Sequence, residues 1–323
     1  MDIRPTVRPG TSGTFRWSRT AIGLTLQSMD AQRLLSEFDQ LEQVVVAFSG
    51  GADSACVLAA AVRALGESNV IAATVISPSL AAGELEAAAG FARELGVRHV
   101  KVPGYELSRP GYVINDTDRC AHCKTELMDV LLPLARKEFG WNAQVVTGTN
   151  AEDALDPHRP GIAAAARAGA LTPLANAGMS KAEVRELSKQ WRLRTWDKPQ
   201  AACLASRLAY GVPVSASALA RVDQSEICLR SLLNEVGIKA TNVRVRDLGQ
   251  DRARIEIDHE QVIALLPHRE AVARLVKGEG FADVEIATAG FRSGSMNEMT
   301  RMPQPRKTSP ELISTSITVR TSG

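Results

Sequence analysis

The sequence predicts an α/β protein: a parallel, twisted sheet with helices on both faces, followed by a smaller α+β unit. Three observations predict it. Short apolar runs without polar alternation recur between helical segments of roughly 10 to 20 residues, as strands buried on both faces require. The first of these runs passes through a Ser-Gly-Gly turn straight into an Ala-rich helix. After Pro213 the order changes to helix, strand, strand, helix, strand. A chain of 323 residues also suits two domains on a prior of about 150 residues each.

Each element has its own signal. Residues 1–28 hold Pro5, Pro9, Gly10 and Gly13 without periodicity and read as a flexible extension, with Met29 as the start of the compact part. Leu34, Leu35, Phe38 and Leu41 recur at helical spacing ahead of a strand over 44–48. A buried helix is expected over 55–65, ending at Gly66. The alternation continues with a strand over 70–76, a helix over 80–95, a strand over 97–102, a helix over 119–139 and a strand over 144–147. Residues 149–213 are rich in Asp, Arg, Pro and Gly, and Ser180 with Glu183 forms a capping signal for a helix over 181–190. The second unit, residues 213–293, is expected as a helix over 217–236, strands over 241–248 and 252–257, a helix over 259–276 and a strand over 283–287. From residue 294 periodicity is lost and a disordered tail is expected. The first domain then spans 29–212.

Composition narrows the function. The chain is 45% apolar and 23% charged, an ordinary globular balance. No apolar run approaches the roughly 18 residues that cross a bilayer, and the N-terminal stretch lacks the apolar core of a secretory signal, so the cytoplasm is the expected compartment. Of the net charge of +2, residues 1–28 and 301–323 carry +3 each, which leaves −4 on the body. A mildly acidic body argues against nucleic acid as a partner and for small-molecule chemistry. Five Cys, an odd number, point to thiols, metal ligands or redox groups before disulfides.

Ser49-Gly50-Gly51-Ala52-Asp53-Ser54 lies between strand and helix, where a phosphate loop belongs. Gly50 and Gly51 can take torsions barred to other residues, the helix start supplies amides, and Ser49 and Ser54 add hydroxyls. It is neither the Walker pattern nor G-x-G-x-x-G. A tight strand-to-helix turn alone would explain the glycines but not the two serines and the aspartate together. The loop resembles that of the N-type ATP pyrophosphatases, which cleave ATP between the α and β phosphates, adenylate the substrate and let a nucleophile displace AMP. The resemblance implies ATP and Mg²⁺, with Asp53 placing the metal or nucleotide.

Further motifs narrow the resemblance: Asp118-Arg119-Cys120-Ala121-His122-Cys123-Lys124, Thr147-Gly148-Thr149-Asn150-Ala151-Glu152-Asp153, Asp156-Pro157-His158-Arg159-Pro160-Gly161, and the run from Trp196 through Ala202-Cys203-Leu204-Ala205-Ser206-Arg207. Together with the closing Gly290-Phe291-Arg292-Ser293-Gly294-Ser295, they resemble the LarE-like ATP-dependent sulfur transferases from about residue 30 to residue 294. These enzymes make the thiocarboxylates of the nickel-pincer nucleotide of lactate racemase. The resemblance implies a nicotinate-derived mononucleotide as substrate, Cys203 as the reactive thiol, and a homo-oligomer, a hexamer built from trimers. It also implies nucleotide-pocket roles for Gly148, Thr149, Asn150, Asp153 and Arg159.

That family divides on its sulfur source: one Cys sacrificed to dehydroalanine, or three Cys holding a [4Fe-4S] cluster. Cys120 and Cys123 beside Cys203 match the three-Cys branch. Independently of the name, Cys-x-x-Cys at a helix start with a distant third thiol leaves one corner of a cubane open. A zinc site completed by His122 or water is the competing reading. Cys56 and Cys228 read as core. Asp153 and Asp156 suit helix capping as well as ligand binding. Arg207 suits a phosphate contact, a thiol-activating charge or a surface ion pair. Arg244 and Arg246 share one strand face, either gripping a phosphate or lying on a solvated surface. The alternatives in function are a tRNA thiolation enzyme of the same superfamily and a noncatalytic nucleotide-binding redox sensor.

Overall fold

The computed structural model describes residues 28–156, 159–199 and 202–292. The rest of the expected extension, the tail from residue 294, and the motif residues Pro157, His158, Gln200, Ala201, Ser293, Gly294 and Ser295 lie outside the described residues. The first unit runs α1 (Met29–Ser36), β1 (Val44–Ala47), α2 (Ala52–Leu65), β2 (Val70–Ile76), α3 (Glu84–Glu94), β3 (Arg98–Pro103), α4 (Pro110–Ile114), α5 (Arg119–Phe139) and β4 (Gln144–Thr147). Short helices α6 (Ala151–Leu155), α7 (Pro160–Arg167) and α8 (Pro173–Asn176) precede α9 (Lys181–Gln190). The second unit comprises α10 (Ala216–Glu235), β5 (Val243–Asp247), β6 (Arg252–Ile257), α11 (His259–Leu265), α12 (Arg269–Gly278) and β7 (Asp283–Ile286).

The four strands of the first unit are parallel in the order β3-β2-β1-β4. Val45 of β1 stands opposite Ile71 on one side and Val145 on the other. Because side chains alternate along a strand, Val44 and Val46 face the core under α1, α2 and α9, whereas Val45 faces the core under α5 and α7. This two-sided burial explains why β1 reads as an unbroken apolar run. Leu58 of α2 is fully enclosed, and its replacement by Ala would cost about 2–5 kcal/mol through lost contacts and the cavity left behind. The Ser180 and Glu183 capping box that opens α9 is present in full. In the second sheet β5 pairs antiparallel with β6 and β6 parallel with β7. Among the described residues no helix is long and apolar enough to cross a membrane.

Several expectations are corrected. Ser28 belongs to the fold, since its side chain caps α1. The helix expected from residue 80 starts at Glu84, because residues 77–84 turn through the bonds Leu80 N to Ser77 O and Glu84 N to Ala81 O. The single helix expected over 259–276 is two: Pro267 has no N–H to continue the ladder, so a 3-10 turn separates α11 from α12. Cys56 is buried as expected, but Cys228 is half-buried, with its sulfur 3.4 Å from Gln224 and 3.8 Å from Glu279. Arg244 and Arg246 do share a face, and it is not solvated. They are 6% and 5% exposed.

Candidate active site

The strand order β3-β2-β1-β4 changes direction between β1 and β4, and in parallel α/β sheets ligands bind beyond the carboxyl ends of the strands at such a point. Both ends carry expected site residues. After β1, the hydroxyls of Ser49 and Ser54 lie 3.1 Å apart, the Ser54 hydroxyl donates to Gly51 O at 3.1 Å, and Gly51 N donates to Ser49 Oγ at 3.3 Å. With the Ser54 proton on the Gly51 carbonyl, Ser49 must donate to Ser54, and the loop closes a ring of three hydrogen bonds. Gly50 has φ +74°, a torsion only glycine adopts without strain. Gly51, expected to need the same freedom, has φ −78° and caps α2.

After β4, Gly148 touches the phosphate loop from the opposite side. A Cβ on Gly148 would lie 2.6 Å from Ser54 N and 2.8 Å from Ser54 Cα, so only glycine lets the two segments meet. Asn150 is fully buried, caps α6 by accepting from Asp153 N at 2.9 Å, and donates to Asp53 Oδ2 at 3.2 Å. Burial and, second, the nearby Asp153 carboxylate push the Asp53 carboxyl above its ordinary range. Asp153 is itself held by Arg159 at 2.7 Å and Lys181 at 2.8 Å, and Asp156 lies 3.6 Å from Arg159. The cap of α6 is therefore Asn150; Asp153 is an ion-pair hub in its first turn, and Asp156 ends the helix.

Cys120 and Cys123 lie in the first turns of α5, and Cys203 immediately precedes a 3-10 turn over 204–207. Cys120 and Cys203 are exposed, Cys123 half-buried. Burial pushes the Cys123 thiol up to about 12; Lys124 opposes this, while neighbouring Cys203, Glu106 and Cys120 add to it. Among the described residues no three His, Cys, Asp or Glu side chains form a metal-binding group. Three thiols with no fourth protein ligand fit an iron–sulfur group in donor chemistry, without being drawn into a closed set. The turn beside Cys203 is tied to both units. Leu204 N donates to Ser79 O at 2.9 Å, and Arg207 donates to Glu226 at 2.8 and 3.1 Å and to the carbonyls of Ala202 at 2.6 Å and Cys203 at 3.3 Å. Arg207 is 3% exposed, so of the three readings the surface ion pair is replaced by a buried one with Glu226.

The two halves of the site are joined by a lysine side chain. Lys198, five residues before Cys203, donates to Gly50 O at 3.0 Å and pairs with Glu84 at 2.7 Å. The segment behind it is held by Arg185, whose guanidinium donates to the carbonyls of Trp196 at 3.2 Å and Lys198 at 3.0 Å.

Residues 32–109, which include the phosphate loop, match the NAD synthase family. The chain is 37% identical to an uncharacterized protein of Synechocystis sp. over 83% of this chain and 97% of that protein. It is 32% identical to the pyridinium-3,5-bisthiocarboxylic acid mononucleotide synthase of Lactiplantibacillus plantarum, over 82% of this chain and 92% of that enzyme. The chain belongs to the LarE-like ATP-dependent sulfur transferase family. An uncharacterized protein of Methanocaldococcus jannaschii is 24% identical over 80% of this chain and 94% of its own length.

In this LarE-like chain the expected residues fall into two neighbouring groups. Ser49 to Ser54 and Gly148 to Asp153, with Arg159 paired to Asp153, gather beyond the carboxyl ends of β1 and β4; Cys120, Cys123, Cys203 and Arg207 lie where the first unit meets the second. Sequence reasoning missed Lys198, Glu84 and Asn115. Lys198 stood in a quoted motif but had no spacing that pointed at Gly50. Asn115 is fully buried with φ +60°, and its amide donates to Ala209 O at 2.8 Å and Val212 O at 2.7 Å. Only its place just ahead of Cys-x-x-Cys could have drawn notice.

Proposed function

We propose that this protein adenylates a carboxylate of a pyridinium dicarboxylate mononucleotide and converts the acyl-adenylate to a thiocarboxylate for nickel-pincer nucleotide synthesis. The observation that carries the reading is the Lys198 bridge, which binds the phosphate loop to the segment leading into Cys203. The name of the Lactiplantibacillus plantarum relative supports the substrate class.

In this mechanism the amides at the start of α2, with the hydroxyls of Ser49 and Ser54, receive the pyrophosphate end of ATP. Asp53, oriented by Asn150, is the carboxylate available to a hard cation such as Mg²⁺. The substrate carboxylate attacks the α-phosphate, the bond to the β-phosphate breaks, and pyrophosphate leaves. A sulfur nucleophile at the Cys203 side then adds to the acyl carbon, and AMP departs with the bonding electrons. When a [4Fe-4S] group is bound, Cys120, Cys123 and Cys203 would hold it, and it would supply the sulfide. Arg244 and Arg246, buried on β5, are placed by this reading against the substrate phosphate.

The test is pyrophosphate release with and without the mononucleotide, followed by mass spectrometry of the product. Carboxylate-dependent release and a gain of about 16 Da per exchanged oxygen are expected, as sulfur replaces oxygen at the acyl carbon. Release indifferent to the carboxylate would refute the reading.

A further inference from the structure

Arg119 opens α5 next to Cys120 and is 6% exposed. Its Nη1 donates to Asn115 Oδ1 at 2.5 Å and to Ala205 O at 2.8 Å, and its guanidinium lies 5.7 Å from the centre of the Tyr210 ring. Each of these partners is neutral. Of the other buried arginines, Arg207 pairs with Glu226, Arg246 pairs with Glu256, and Arg244 donates to Val243 O and lies over the Phe291 ring; Arg119 forms no ion pair with a carboxylate among the described residues.

A guanidinium taken out of water without a counter-ion is costly, so a fold that holds one there leaves its charge for an anion that arrives. The nearby groups able to become anionic are the sulfurs of Cys203 and Cys120 and the phenols of Tyr210 and Tyr112, and burial keeps the phenols protonated, which leaves the sulfurs. Cys120 is the adjoining residue, and Cys203 lies two residues before the Ala205 carbonyl that grips Arg119; both cysteines are exposed. Nor can the guanidinium swing away, because Asn115 is anchored by its amide to Ala209 and Val212 while its oxygen holds Arg119. We infer that Arg119 is the fixed counter-charge for anionic sulfur at Cys203 and Cys120, whether a thiolate or a hydrosulfide held beside it. It is a positioning residue, and the inference rests on the sulfur-transfer reading of this site.

The experiment compares alkylation of Cys203 by iodoacetate and by iodoacetamide, read by peptide mass spectrometry. It uses the full chain, reduced and stripped of metal with a chelator. Both reagents consume the same thiolate, so the ratio of their rates cancels the fraction ionised and reports the local field on the incoming charge. Normalised to glutathione, the wild-type ratio is expected to favour iodoacetate by about tenfold. Arg119→Gln should bring it near one, and Arg119→Lys should keep most of it. A merely structural Arg119 would lower the melting temperature of these variants without moving the ratio. A wild-type ratio near that of glutathione overturns the inference without any variant, as does an unchanged ratio in a folded Arg119→Gln protein. Neither ATP nor the mononucleotide is present, so failure of the sulfur-transfer reading in its own assay leaves this outcome separate.

Discussion

Lys198 donates to the carbonyl of Gly50 at 3.0 Å, and that contact orients the phosphate loop from the cysteine side of the molecule. A peptide carbonyl and the following N–H point in opposite directions. Holding the Gly50 oxygen therefore fixes where the Gly51 amide points. Glu84 on the same ammonium, at 2.7 Å, keeps the lysine in place and offsets its charge.

Replacing Lys198 with Met should accordingly raise the KM for ATP about tenfold, the effect of losing one charge-assisted bond of roughly 1.5 kcal/mol, while the fold persists. Steady-state pyrophosphate release across ATP concentrations reads it. A KM equal to that of the wild type would mean the contact does not organise the loop.

Gly148 and Gly51 make a matched pair. Gly148→Ala forces a Cβ against Ser54 backbone at 2.6 Å and should cost about 1–3 kcal/mol as well as nucleotide affinity. Gly51→Ala places its Cβ 3.4 Å from Ser49 Oγ at an ordinary φ, so its melting temperature should stay near that of the wild type. Calorimetry with and without a non-hydrolysable ATP analogue distinguishes the two. Equal melting temperatures would contradict the close approach of β4 to the phosphate loop.

Serine substitutions separate the two sulfur sources. On the three-thiol reading, Cys120→Ser, Cys123→Ser and Cys203→Ser each lose thiocarboxylate formation and iron–sulfur absorbance, while pyrophosphate release continues at the separate phosphate loop. If Cys120→Ser and Cys123→Ser stay active and the spent wild-type chain is about 34 Da lighter through loss of H₂S from Cys203, the sulfur is sacrificial.

His99 on β3 predicts a limb of acid sensitivity. Thr74 gives its hydroxyl proton to Phe48 O at 2.7 Å, so at 2.8 Å the His99 Nε2 must be the donor to Thr74 Oγ1. Burial, then the charge of Lys101, holds the His99 pKa below its ordinary value. The folded protein therefore takes up this proton at lower pH than the unfolded chain. Stability is complete above the ordinary histidine value and falls as the pH drops toward the folded one. His99→Gln should flatten that part of the urea-midpoint profile. A wild-type slope in the variant would clear His99 of the effect.

Much of this was legible in the sequence because its causes are local. Strands β2, β4 and β6 and helices α5 and α9 have the expected bounds, since uniform apolar runs and caps such as Ser180 act within a few residues. The phosphate loop was legible for the same reason. What escaped depends on distant partners. Nothing beside Lys198 in the chain foretells Gly50, 148 residues away. Arg207 keeps three readings open until Glu226 is folded over it, and Cys228 reads as core until the polar side chains around it appear. Pro267 was a local signal outweighed by the apolar periodicity on either side of it.

The short turn over 204–207 is bonded on one side to Ser79, in the loop after β2, and on the other to Glu226 of α10, while Leu208 pairs with Asp247 of β5. Cys203 is thus mounted on a pin shared by two bodies and belongs wholly to neither. Any rocking of one body against the other is transmitted to the sulfur as a displacement. Severing the chain after residue 212 would remove Glu226 and Asp247 and leave the thiol without a fixed address. Inheritance is constrained in the same way: the two bodies must be passed on as one piece, because exchanging either for a foreign counterpart would unseat Cys203.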